Sequence, residues 1–162
     1  MAIDVTKLSV EQLRNLIRNH EEGGATDRPI YEEALAEQQK RLAGTLSIDR
    51  TVRAILAAGK ARKFITYGDL AAANGAKWDE VRYPMFQHLG LVLKHAHSKG
   101  APMLTAIVVE QGSRQTGEMN DYSLRGFVTA ARELGVRVTD ERAFLKEQQD
   151  ATFAFAAEHS SL

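Results

Sequence analysis

Glycine closes one apolar, helix-periodic stretch after another in this chain. Gly23-Gly24, Gly44, Gly59, Gly75, Gly100 and Gly135 each follow a run in which aliphatic residues return every three or four positions. This punctuation restricts most of the chain to short helices joined by tight turns. Extended structure is left to Phe64-Ile65-Thr66, to the apolar run Met103 to Val109, and to a short piece at Val136 and Val138. The expected fold class is therefore mainly α with a small β-hairpin.

Ser9 with Gln12 forms a capping-box pattern ahead of Val10, Leu13, Leu16 and Ile17, which predicts a helix over 9–22. Pro29 in a first turn, followed by Tyr31, Ala34, Leu35 and Leu42, predicts a second helix ending at Gly44. Residues 1–45 thus read as an N-terminal helical hairpin, with Glu32, Glu33 and Glu37 on its outer side. Residues 46–162 read as a winged-helix-like domain with C-terminal helices. A third helix covers 48–59, with Lys60, Arg62 and Lys63 at its C-terminal end, where cations suit the macrodipole. Thr66 can cap a short helix to Ala73, and Asn74-Gly75 is suited to a left-handed turn before a new helix near Trp78. Pro84 is expected to divide the segment 78–99 into a short helical turn and a longer helix. Leu124 to Leu134, and a final stretch from Asp140 carrying Phe144, Leu145 and Phe155, complete the helices.

A chain of 162 residues, 44% of them hydrophobic, suffices for one good core. With 21 basic and 21 acidic side chains the net charge is zero, so no overall field draws the molecule to DNA or to an anionic membrane. Residues 51–100 depart from that balance, with eight basic residues against three acidic ones, and mark where an anionic partner would sit. The absence of cysteine excludes disulfides, a thiolate zinc site and a thiol nucleophile. No signal-peptide-like or membrane-spanning apolar stretch is present, and a cytoplasmic protein without cofactor or membrane partner is expected.

The order short helix, turn, longer helix, strand and glycine-tipped loop over 66–119 is that of a winged helix-turn-helix, which places one helix in the DNA major groove. On the longer helix Met85, Phe86, Leu89, Val92, Leu93 and Ala96 form an apolar side, and Gln87, Lys94 and Ser98 lie opposite. Gln87 and Lys94 are candidate base and phosphate contacts. Arg114 in the loop is a third, and Tyr67, Lys77 and Arg82, interleaved with Trp78 and Tyr83, can stack on or pair with a nucleic acid. Duplex DNA or RNA is the expected partner, for an accessory or regulatory role.

Thr66-Tyr67-Gly68-Asp69-Leu70-Ala71, His88-Leu89-Gly90 and Val108-Val109 resemble the winged-helix domain of the alkylguanine-DNA alkyltransferases and alkyltransferase-like proteins. That resemblance implies DNA binding. The family's cysteine or tryptophan followed by histidine and arginine is missing from Pro102 to Ile107, and its recognition-helix arginine falls near Gln87, so alkyl transfer to cysteine is excluded. The pattern from Tyr67 to Gly117 is also similar to small bacterial proteins of unassigned function.

Other chemistries are weighed on the same residues. His88 and His95 share a helix face but stand two turns, roughly 10 Å, apart, too far to hold one ion. Gly112 to Gly117 has the outline of a phosphate loop, yet Glu118-Met119 replaces the lysine and hydroxyl residue that loop requires. Glu110, Glu118 and Asp121 with Arg114 form the alternative of a carboxylate-dependent enzyme site. The remaining alternative is a protein-interaction module, with the N-terminal hairpin forming a homodimer.

Overall fold

In the computed structural model, which describes residues 2–42 and 45–162, the chain divides into two units, 1–45 and 46–162. The expected helix stop at Gly44 lies outside the described residues, as do the side chains of Leu42 and Tyr83.

In the first unit a short 3-10 turn, Val5–Lys7, precedes helix α1 (Val10–Glu22), and α2 is Pro29–Leu42. The capping box closes α1 reciprocally: Gln12 N–H donates to Ser9 Oγ at 3.1 Å, and Ser9 N–H donates to Gln12 Oε1 at 2.9 Å. Leu13 and Ile17 of α1 and Ala34 of α2 are buried. Arg41, near the end of α2, donates to the carbonyls of Leu8 and Thr6 at 2.8 and 3.1 Å and is itself held by Glu37 at 2.7 Å. It supplies the donors that the end of the 3-10 turn otherwise lacks.

The second unit contains α3 (Ile48–Lys60), β1 (Ile65–Thr66), α4 (Tyr67–Ala73), α5 (Trp78–Ser98), β2 (Val108–Val109), α6 (Asp121–Glu133) and α7 (Glu141–Glu158). Ser47, Thr66, Asn120 and Asp140 cap α3, α4, α6 and α7 through their side-chain oxygens. Helix α3 crosses α7 so closely that a methyl on Gly59 would stand 2.7 Å from Ala156 Cβ. Leu93, Phe127, Val128, Phe144 and Leu145 pack with Met103, Ala106 and Met119 in a core built by α5, α6, α7 and the segment between α5 and α6.

Two expectations are corrected. Pro84 does not divide the helix, and α5 runs unbroken from Trp78 to Ser98. A proline inside a helix costs about 3 kcal/mol. Its fully buried neighbours Val81 and Met85 each recover roughly 2 kcal/mol by facing the core, and Pro84 is buried with them.

The second correction is the hairpin. Leu104–Ile107 forms a 3-10 turn, and Val108–Val109 pairs in parallel with Ile65–Thr66, Ile65 opposite Val108 and Thr66 opposite Val109. Every residue from Met103 to Val109 is buried, so the run has no solvent face, and a continuous apolar stretch does not by its periodicity separate strand from buried turn. Beyond that two-residue pairing, α7 side chains satisfy backbone groups of this segment. Gln149 Nε2 donates to the carbonyls of Ala106 and Gly117 at 3.1 and 2.7 Å, and Met103 N–H donates to Gln148 Oε1 at 2.9 Å.

Candidate functional site

Helices α4 and α5 are joined by Asn74-Gly75-Ala76-Lys77, with Gly75 at φ 72°. Asn74 makes this corner rigid. Its Oδ1 accepts from Ser47 N–H at 2.9 Å, while its Nδ2 donates to Thr51 Oγ1 and to the Leu70 carbonyl, each at 2.9 Å. Thr51 Oγ1 is also hydrogen-bonded to His88 Nε2 at 2.7 Å. His88 is buried, and desolvation lowers its pKa so that the neutral ring is favoured. One polar network therefore ties α3, α4 and α5 together. Among the described residues no group of three histidines, cysteines or carboxylates is placed to bind a metal.

Aromatic rings make the second contact between α4 and α5. Tyr67 stacks on Trp78 with centroids 5.7 Å apart and the planes at 21°, and Phe86 meets Tyr67 at 5.6 Å and Trp78 at 6.4 Å. Burial raises the pKa of the Tyr67 phenol, and the Ser123 side chain acts in the opposite direction. Trp78 thus anchors one helix on the other, and Tyr67 is half-buried at the start of α4.

The remaining candidates separate. Gln87 and Lys94 are exposed on α5, about 20° apart around its axis, in one row on its solvent side with Ser98. Lys77 occupies the N-cap position of α5 without a capping hydrogen bond and Arg82 lies in the second turn, both exposed but turned away from that row. Arg114 is engaged. It donates to Asp69 Oδ2 at 2.7 Å and Oδ1 at 3.2 Å, and reaches Thr66 Oγ1 at 3.5 Å. The guanidinium holds the Asp69 carboxyl below its usual range. Two acids of the alternative enzyme site have their own partners, Glu110 with Asn120 and Asp121 with Arg142, and Glu118 is exposed.

Sequence reasoning missed a groove of about 470 Å³ between α5 and α6. Phe86, Leu89 and Leu93 line it from α5, Tyr122, Phe127 and Ala130 from α6, and Thr105 and Val108 from the segment between. Its two exposed aromatic residues, Phe86 at 50% and Tyr122 at 80%, are the available sequence signal: large rings at positions of α5 and α6 that the core does not cover. None of Glu110, Glu118 and Asp121 lines it. Among the described residues no helix is long and apolar enough to cross a membrane.

No protein-family model matches this chain, and comparison with curated proteins and with solved structures likewise returns no match.

Proposed function

We propose that the second unit binds nucleic acid, duplex DNA foremost, in an accessory or regulatory role, with α4 and α5 acting as a helix-turn-helix and α5 as the helix that enters the major groove. The observation that carries this reading is the solvent-facing row of Gln87, Lys94 and Ser98 on a helix whose other side is anchored in the core. A helix of this kind fits a major groove about 12 Å wide. Gln87 has the amide geometry that pairs with adenine, and Lys94 supplies a phosphate contact.

Charge along α5 narrows the contact. Asp79 and Glu80 occupy the first turn, where acids suit the positive end of the helix dipole but repel phosphate. The contacting stretch is accordingly the one from Gln87 to Ser98. The resemblance of residues 66–109 to a DNA-binding winged-helix domain supports the same partner, without a hairpin wing. Arg114 would contribute only by leaving Asp69, so it takes a structural role in this reading.

The test is fluorescence anisotropy of the full chain with labelled mixed-sequence duplexes at about 50 mM salt. Saturable binding that weakens steeply as salt rises is expected, because each neutralised phosphate releases counterions. Absence of binding to both DNA and RNA pools refutes the proposal.

A further inference from the structure

We infer that the groove between α5 and α6 is a binding site for a flat, largely apolar aromatic small molecule carrying one hydrogen-bonding group. The volume of about 470 Å³ and the mainly apolar and aromatic walls are those of small-molecule sites.

Thr105 sets the position of the polar group. It lines the groove and is only 7% exposed, yet its hydroxyl has no hydrogen-bond partner among the described residues. The same oxygen is not among the side-chain atoms sealed from solvent without a partner, so it opens into the groove. A hydroxyl held in a mainly apolar site is costly to leave unpaired, and a ligand donor or acceptor satisfies it.

The walls define the shape of the ligand. Gly90 lies inside α5 and Gly126 inside α6, and both line the groove. A glycine inside a helix is unfavourable relative to alanine. Close packing within the protein does not account for either one, because a methyl placed on each meets nothing within 4 Å. Bare backbone on both walls lets the two faces of a planar molecule approach closely, between the exposed rings of Phe86 and Tyr122. Arg125 and Glu133 put one charge of each sign among the lining residues, which matches a ligand without net charge.

The probe is N-phenyl-1-naphthylamine, a neutral planar aromatic whose amine N–H can donate to Thr105 Oγ1, titrated by fluorescence into the full chain. Saturable one-to-one binding is expected. Thr105→Val, which keeps the shape and removes the hydroxyl, should weaken binding about fivefold. Gly126→Leu or Gly90→Leu, which fill the groove, should weaken it at least about tenfold. Gly90→Ala and Gly126→Ala, adding only a methyl in open space, should remain folded with a raised Tm and control for the larger substitutions. Non-saturable uptake by the wild type, or unchanged affinity in Thr105→Val together with the filled variants, overturns the assignment. An apparent affinity that falls as protein concentration rises also overturns it, because a second copy of the chain then occupies the groove.

Discussion

Arg114 and Asp69 form a two-pronged ion pair, with guanidinium nitrogens at 2.7 and 3.2 Å from the carboxylate oxygens, across 45 residues of sequence. Asp69 simultaneously completes the capping box of α4 by accepting from Thr66 N–H at 3.1 Å. The pair therefore fastens the segment after β2 to the first turn of α4. Both side chains remain partly exposed, at 41% and 38%, and solvent screens them. Arg114→Ala should cost about 0.5–1 kcal/mol. Because the folded pKa of Asp69 is depressed, its contribution is present above the ordinary value of 3.8 and is lost as pH falls through the lower folded value. Urea unfolding of wild type and variant at neutral and at strongly acid pH measures both effects, and the difference between the proteins should shrink in acid.

His88 predicts a second pH dependence, in a higher range. Burial disfavours the imidazolium, so the unfolded chain takes up the proton more readily than the folded one. The neutral buried ring is no penalty above the ordinary value of 6.5, and stability falls as pH drops below it. Denaturant midpoints should decline between pH 7 and about pH 5.5 in the wild type, and less so in His88→Gln. Thr51→Val should cost about 1–3 kcal/mol at neutral pH, because the Asn74 amide and the His88 ring each lose a buried partner.

At Gly117 backbone and packing together require glycine. Its φ is 72°, and a Cβ there would overlap the Phe64 ring, which packs edge-on against Phe153 at 5.4 Å. Gly117→Ala should destabilise by about 3 kcal/mol, combining left-handed backbone strain with overpacking. Thermal unfolding by circular dichroism checks it, and a change within about 0.5 kcal/mol would contradict the packing described for this segment.

How much of this was legible in the sequence depends on the range of the interaction. The capping box of α1, the Thr66 cap of α4 and the Asn74-Gly75 corner are written within four residues, and they lie where their residue types indicate. The continuity of α5 through Pro84 was not legible, because local preference yielded there to burial of Val81, Pro84 and Met85. The run Met103 to Val109 is a strand only at Val108–Val109 for the same reason, since Gln148 and Gln149 of α7 partner the backbone of Met103 and Ala106. At the candidate site, the exposure of Gln87 and Lys94 follows from helical periodicity alone. The engagement of Arg114 by Asp69 and the groove between α5 and α6 arise only when distant segments meet.

Lys94→Ala tests the proposed groove-reading role of α5 most directly. Lys94 is exposed, and among the described residues no ion pair holds it, so its loss should change stability by no more than about 0.5 kcal/mol. The decisive measurement is the dependence of duplex affinity on salt for wild type and Lys94→Ala, by anisotropy titration over several salt concentrations. Weaker binding to all sequences alike is expected, with a log–log salt slope shallower by about 0.9, the share of one phosphate contact. A variant that keeps the wild-type affinity and slope, or that unfolds, contradicts the placement of α5 against nucleic acid.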